Sequence, residues 1–116
     1  MSYNLVRIGV THGDINGVGY EVILKAFGDI RIAESCIITI YGSSKVASYH
    51  RKALELPPVA LNTVATASDS VANKINILNC CSEDLKVEIG KSTESAGEAA
   101  FQALEKATAD LQRSEE

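Results

Sequence analysis

The chain has 116 residues, of which 46% are hydrophobic and 22% charged, and its formal net charge is −4. This length suits one folded domain with a buried core, and the composition is that of a globular protein rather than a disordered one. Because the lysines and arginines are scattered, the basic patch of a nucleic-acid-binding protein is missing, and nucleic acid is not an expected partner.

A strand, a glycine-rich turn and a helix are predicted at the start of the chain. The β-prone run 5–11 is followed by glycines at positions 13, 17 and 19, and apolar residues with helical spacing occupy 22–27. Glycine allows positive φ and close approach of another group. The N–H groups of the first helical turn would face a crevice, with the positive end of the helix dipole behind them, which favours an anion or a polar ligand.

The spacing of this turn, G-D-x-x-G-x-G-x-E, does not by itself name a ligand. It is neither the dinucleotide fingerprint G-x-G-x-x-G nor a P-loop. The glycines could serve only a tight strand-to-helix connection, with Asp14 and Asn16 as turn or capping residues. His12, immediately before the turn, is a weaker candidate ligand.

A second strand-turn-helix unit is predicted over residues 36–55. The nearly continuous apolar, β-branched run 36–41 indicates a central parallel strand that is covered on both faces. Gly42 and the serines after it predict a turn and a helix cap, and the apolar spacing predicts a helix over 43–55 that the prolines at 57 and 58 end. His50 on this helix has no chelating neighbour and is expected to be partly exposed.

Three short strands and one long helix are predicted in the remainder. The strands are expected at 59–64, 75–80 and 86–89, with a loop and at most one helical turn over 65–73. Thr93 or Ser95 is expected to cap the long helix. Its predicted buried stripe consists of Ala96, Ala99, Ala100, Ala103, Leu104, Ala107 and Leu111. Because a helix on a parallel sheet normally leads to another strand, a further strand is expected to follow this helix.

The three cysteines are Cys36, Cys80 and Cys81. The adjacent pair disfavours a conventional disulfide framework, and no C-x-x-C spacing suggests zinc, so reduced thiols are expected. Cys36 is expected to pack as a small hydrophobic residue, and no sequence neighbour would lower a thiol pKa enough to predict a catalytic cysteine. No apolar run approaches the ~20 residues of a membrane span, and residues 1–4 lack signal-peptide features, so we predict a cytoplasmic protein without a membrane partner.

Residues 8–21 resemble the N-terminal signature of the 4-hydroxythreonine-4-phosphate dehydrogenase family, I-T-x-G-D-P-A-G-I-G-P-E. The matching residues are Gly13, Asp14, Gly17, Gly19 and Glu21. Ile15 and Asn16 replace the Pro-Ala of the signature, and Tyr20 replaces its second proline, so the turn is less pre-set in φ. The turn is more distantly similar to the G-D-G-I-G-P-E of isocitrate and isopropylmalate dehydrogenases.

The resemblance implies an α/β protein, with a mostly parallel sheet and helices on both faces, as part of an isocitrate/isopropylmalate dehydrogenase-like fold. Residues 1–116 would be a single α/β domain, the N-terminal fragment of a longer two-domain enzyme. The family oxidises 4-phosphohydroxy-L-threonine in pyridoxine and pyridoxal phosphate biosynthesis, with NAD or NADP and a divalent metal. The full-length enzyme would be a homodimer.

The same resemblance implies that Gly13, Asp14, Asn16 and Gly17 form one wall of the cofactor site. The catalytic residues and the metal ligands would lie outside this chain, and the fragment would be inactive. Two alternatives remain open: a stand-alone, non-catalytic module that binds an anion or a partner, and a fragment of an isopropylmalate-type decarboxylating dehydrogenase.

Overall fold

The computed structural model describes residues 6–27, 32–81, 87–88 and 93–114. Its strands are β1 (Val6–Thr11), β2 (Cys36–Gly42), β3 (Leu61–Val64) and β4 (Ile75–Asn79). Its helices are α1 (Gly19–Ala26), α2 (Ile32–Ser35), α3 (Ser44–Ala53) and α4 (Glu94–Ser114), and Ala67–Asp69 forms a single 3-10 turn. The four strands make one sheet in the order β1-β2-β4-β3, and every neighbouring pair is parallel.

β2 lies between β1 and β4, as the buried run in the sequence predicts. Successive side chains of a strand point to opposite faces. Ile38 and Ile40 therefore pack on one side, in a cluster that includes Ile23 of α1 and Ala47 of α3. Tyr41 packs on the other side, in a cluster with Ala103 of α4. Helices cover both faces, which confirms the predicted parallel α/β sheet.

Four isoleucines of the two central strands form the middle of the core. They are Ile38, Ile40, Ile75 and Ile77, and none is more than 1% exposed. β-Branched side chains suit parallel strands that are buried on both faces. Each such burial contributes about 1.5–3 kcal/mol relative to an exposed side chain, so this layer holds β2 and β4 in place beneath α1 and α3.

The C-terminus of α3 differs from the prediction that the two prolines end this helix. The Glu55 N–H donates to the Lys52 carbonyl at 3.2 Å, and the Leu56 N–H donates to the Arg51 carbonyl at 3.0 Å. Glu55 has a φ of 55°. This pattern is a Schellman motif with a left-handed residue just past the helix. Backbone hydrogen bonds therefore end the helix before the prolines are reached.

α4 contacts the sheet through alanines and leaves its leucines outside. Thr93 caps the helix, because its Oγ1 accepts from the Ala96 N–H at 3.1 Å. Ala96, Ala99 and Ala103 are buried, whereas Leu104 and Leu111 are 55% and 61% exposed. The prediction that the leucines belong to the buried stripe is therefore wrong. Small side chains let the helix approach the sheet closely, and the larger residues flank that contact.

The β1 edge of the sheet is uncovered in the part of the chain that the structure describes. β1 pairs there with β2 alone, and Val6 and Ile8 are 66% and 44% exposed. An open cleft of about 520 Å³ lies between this strand and α4, where Ile8 and the two exposed leucines border it. Within the described residues, the sheet thus ends on this side in an apolar strand that pairs with β2 alone.

The remaining predictions have mixed outcomes. The strands expected at 59–64 and 75–80 are confirmed as β3 and β4, and the helical turn expected within 65–73 is the 3-10 turn. Of the strand expected at 86–89, positions 86 and 89 lie outside the described residues, and Val87 and Glu88 are not in a strand. None of the described helices is both long and apolar enough to cross a membrane.

Candidate functional site

The connection from β1 to α1, residues 12–19, is here called the glycine turn. Asp14 organises it: its Oδ1 accepts from the Asn16 N–H at 2.9 Å, and its carbonyl accepts from the Gly17 N–H at 3.0 Å. Aspartate forms such turns because its short side chain reaches the backbone two residues on. The turn lies at the carboxyl end of the parallel strands, where open α/β sheets bind their ligands.

Glycine is required at two positions of the turn, for different reasons. Gly13 has a φ of 68°, a conformation that other residues rarely adopt. At Gly19, a Cβ atom would lie 2.5 Å from the His12 carbonyl oxygen, because α1 begins directly against the end of β1. A Cβ atom at Gly17 would make only ordinary van der Waals contacts, at 3.6 Å or more. The close approach at Gly19 sets the angle at which α1 leaves the sheet.

Behind the turn, His12 and Tyr20 form a buried hydrogen-bonded pair. The Nε2 atom of His12 lies 3.0 Å from the Ala99 carbonyl oxygen, which can only accept, so Nε2 carries the hydrogen. Nδ1 is then the acceptor for the Tyr20 hydroxyl, 2.8 Å away. The same hydroxyl accepts from the Ser43 N–H at 2.9 Å. One tyrosine therefore joins the ends of β1 and β2, and His12 extends the link to α4.

Gly42, the last residue of β2, makes room for this pair. A Cβ atom at Gly42 would meet the Tyr20 hydroxyl oxygen and would lie 2.9 Å from Nδ1 of His12. The sequence marks Gly42 only as a turn residue. Its second role depends on a partner 22 positions earlier in the chain, which local spacing does not reveal.

Both members of the pair are held in their neutral forms. Burial lowers the pKa of His12, and its hydrogen bond to the Ala99 carbonyl opposes this effect only in part. Burial likewise raises the pKa of Tyr20, against a smaller opposing effect of the Ser43 backbone. A neutral, fully hydrogen-bonded pair suits a structural support rather than an exchanger of protons.

His50 supports the turn from α3 and is not partly exposed, so that expectation is wrong. Its side chain is buried, and Nε2 lies 2.7 Å from the Ile15 carbonyl oxygen. Its ring stacks on Tyr20 with centroids 5.5 Å apart and planes at 16°. A signal was present in the sequence, because residues 46, 47 and 50 share one face of the helix.

The four residues predicted to line a cofactor site divide into two groups. Gly13, Asp14 and Gly17 come together at the surface, and Asp14 is exposed. Asn16 is 2% exposed and points inward: its Nδ2 donates to Thr93 Oγ1 at 3.3 Å, and its Oδ1 accepts from the Glu88 N–H at 2.7 Å. Asn16 therefore ties the turn to the start of α4. A ligand role for these residues stays a prediction.

The outer side of the turn ends at an uncapped helix. Val18 occupies the N-cap position of α1, and its side chain makes no capping hydrogen bond. Among the described residues, no group of three or more histidine, cysteine, aspartate or glutamate side chains could hold a metal ion. Backbone N–H groups at a helix start are the kind of group that binds an anionic or polar ligand, and such a ligand at this turn stays a prediction.

Comparisons with known proteins give sequence relatives and structural neighbours. No family model matches the chain. It is 51% identical over 107 residues to 4-hydroxythreonine-4-phosphate dehydrogenase of Bacteroides thetaiotaomicron, a match that covers 92% of the chain and 29% of that protein. It is 33% identical over 109 residues to the protein of the same name from Sulfurihydrogenibium sp. (strain YO3AOP1), covering 92% of the chain and 32% of that protein.

A solved structure agrees with these matches. The crystal structure of 4-hydroxythreonine-4-phosphate dehydrogenase from Klebsiella pneumoniae superposes with a TM-score of 0.81 at 21% identity, covering 95% of the chain and 34% of that structure. The likeness confirms the predicted α/β fold with its parallel sheet. The chain spans about a third of the length of the relatives it matches, and the matched part is their N-terminal portion.

Proposed function

We propose that this chain, which is homologous to the N-terminal third of 4-hydroxythreonine-4-phosphate dehydrogenases, supplies the glycine turn of such an enzyme's cofactor site. The enzyme would oxidise 4-phosphohydroxy-L-threonine with NAD or NADP in pyridoxine and pyridoxal phosphate biosynthesis. The observation that carries this proposal is the 51% identity across 92% of the chain. A phosphorylated substrate, a homodimeric full-length enzyme and a cytoplasmic location belong to the same proposal.

The glycine turn supports a binding role through its exposed side. Gly13 and Gly17 present backbone without side chains, and the uncapped N-terminus of α1 follows directly. Backbone N–H groups at a helix start, with the helix dipole behind them, attract the phosphates of a nucleotide. The exposed Asp14 carboxylate is an acceptor for a ribose hydroxyl or an amide. Asn16 would act from behind by fixing the turn against α4.

The chemistry of the reaction would be divided between this chain and the rest of the enzyme. A nicotinamide cofactor accepts a hydride when bound. The residues of this chain would bind that cofactor and orient it. By resemblance to the family, we assign the divalent metal of the proposed enzyme to residues outside this chain, and we derive no step through it. The isolated chain is accordingly proposed to be inactive.

A chimeric enzyme tests the proposal. Residues 1–116 would replace the matching segment of the Bacteroides thetaiotaomicron relative, and NADH formation from 4-phosphohydroxy-L-threonine would be measured with a divalent metal. Support would be turnover that Asp14→Asn lowers by about tenfold or more and that Asp69→Asn, at an exposed aspartate of the 3-10 turn, leaves unchanged. A folded chimera with no turnover, or equal turnover in both variants, would count against the role of this turn.

A further inference from the structure

Two adjacent cysteines follow β4 at the same end of the sheet as the glycine turn. The Sγ atoms of Cys80 and Cys81 are 3.8 Å apart. The Cys80 N–H donates to the Gly42 carbonyl at 3.0 Å, which holds this residue beside β2. Cys81 Sγ lies 3.7 Å from Nε2 of His12 and 3.6 Å from the Ala99 carbonyl oxygen. The proposed function uses neither thiol.

The pair is accessible, whereas the third cysteine is not. Cys80 borders an open cleft of about 480 Å³ along α4, whose lining includes Gln102 and Lys106. Cys80 and Cys81 are both partly exposed free thiols. Cys36 is 7% exposed and belongs to the hydrophobic core, as predicted. A small oxidant in solution would therefore reach the pair and not Cys36.

The two thiols differ in pKa, because a Cys80 thiolate can accept the S–H of Cys81 across the 3.8 Å that separate their Sγ atoms. The hydrogen bond with Cys81 lowers the pKa of Cys80, an effect that burial opposes and the Lys106 ammonium assists. The same hydrogen bond, together with burial, raises the pKa of Cys81. The thiolate is the nucleophilic form of cysteine, so Cys80 is the more reactive member. Adjacency in the sequence does not predict which of the two thiols has the lower pKa, because burial and the ammonium of Lys106, 26 positions away, depend on the fold.

We propose that Cys80 and Cys81 form a redox-modification site, at which a hydroperoxide converts the two thiols into a disulfide between adjacent residues. The Cys80 thiolate attacks a peroxide oxygen, the O–O bond breaks, and a sulfenic acid and one water or alcohol result. The Cys81 sulfur then attacks the Cys80 sulfur, the S–O bond breaks, and water leaves with the Cys81 proton. In total the two thiols lose two electrons and two hydrogens, and the peroxide is reduced by two electrons.

The proposed bond would be reversible and would affect the support of the glycine turn. Adjacent Cα atoms are only about 3.8 Å apart, which is less than a relaxed disulfide spans, so thiols would reduce it readily. Forming it draws Cys81 Sγ toward Cys80 and away from His12 and the Ala99 carbonyl. This inference does not depend on the dehydrogenase assignment, because it rests on the separation, the exposure and the electrostatic surroundings of the two thiols.

The test uses the purified 116-residue chain, hydrogen peroxide, thiol counting and intact mass. The expected product has lost the mass of two hydrogen atoms, retains the Cys36 thiol and returns to the starting mass with dithiothreitol. In C81S, which lacks the second thiol, a sulfenic acid at Cys80 should be trapped by dimedone. C80S should react at least about tenfold more slowly, and C36S should behave like the unaltered chain.

Three outcomes would overturn the proposal. They are irreversible oxidation of Cys80 with the Cys81 thiol intact, a disulfide that joins two chains, and Cys36 reacting as fast as Cys80. Far-UV circular dichroism establishes that each variant is folded. The result for the unaltered chain decides the question even where a variant does not fold.

Discussion

The Tyr20 hydroxyl lies 2.8 Å from Nδ1 of His12, and both side chains are almost completely buried. Tyr20 stands where the family signature has a proline, which would restrict the backbone directly. In this chain the hydrogen bond between Tyr20 and His12, which follows β1 directly, holds the first turn of α1 in place instead. The geometry of the glycine turn therefore depends on contacts to β2 and α4.

We expect Tyr20→Phe to lower the free energy of unfolding by about 1–3 kcal/mol. The substitution keeps the ring but removes the hydroxyl, which leaves Nδ1 of His12 and the Ser43 N–H buried without that partner. Urea unfolding would measure the change. Tyr49→Phe is the matched control, because Tyr49 is 47% exposed. Equal stability of the two variants would contradict the support role of Tyr20.

Gly19→Ala should be destabilising by about 1–3 kcal/mol, because its Cβ would press on the His12 carbonyl and force α1 to shift. Gly97→Ala in α4 has open space around the new Cβ and should stabilise the chain by about 0.5–1 kcal/mol. Thermal unfolding of both variants gives the comparison. A neutral effect at Gly19 would mean that the close approach between α1 and β1 is not needed.

The stability of the chain should fall as the pH drops below about 6.5, in part because of His12. The pKa of His12 is lowered by burial, so the unfolded chain takes up a proton at a pH where the folded chain does not. Neutral His12 contributes fully to the stability of the fold above the pKa that this histidine has in the unfolded chain. This contribution is lost as the pH falls toward the lower pKa that it has in the folded chain. For each pH unit between these two pKa values, the free energy of unfolding falls by at most about 1.4 kcal/mol.

His12→Gln isolates this contribution, because glutamine does not titrate and retains an N–H that can reach the Ala99 carbonyl. Urea midpoints at about pH 7.5 and about pH 5 would be compared for both chains, so that the other titrating groups cancel. The unaltered chain should lose more stability between the two conditions. Parallel curves would show that His12 does not titrate differently in the folded chain.

The isolated chain should bind NAD weakly, with no affinity in the micromolar range. Ligand sites normally bury most of the surface of their ligand, and one wall of such a site leaves most of a dinucleotide in water. Calorimetry with the 116-residue chain would measure this, with the full-length Bacteroides thetaiotaomicron relative as the positive control. Tight binding, or NADH production by the isolated chain, would show that the site is complete within these residues.

Local patterns in the sequence were sufficient for most elements and for the position of the glycine turn. The apolar run of β2, the cap at Ser43 and the spacing in α1 depend on neighbouring residues, so periodicity finds them. Ligand contacts at the turn stay a prediction, since no bound group tests them.

The contacts that hold the glycine turn in place could not be predicted from local sequence patterns. His12 meets a carbonyl 87 positions later, and Asn16 bonds to groups 72 and 77 positions away. Such partners are set by how α4 returns across the sheet. The Schellman end of α3 was missed for another reason: Glu55 takes a left-handed conformation that is more typical of glycine.

The apolar outer strand has a consequence for handling the molecule. Its residues carry one charge, at Arg7, whereas natural sheets usually protect an open border with lysines, prolines or bulges. In the part of the chain that the structure describes, no strand pairs with the outward backbone groups of Val6–Thr11, which offer a template for an extended segment of a neighbouring molecule. At high concentration, molecules of this chain would therefore tend to associate through the outer edge of β1. The substitution Ile8→Lys is the simplest way to prevent this association.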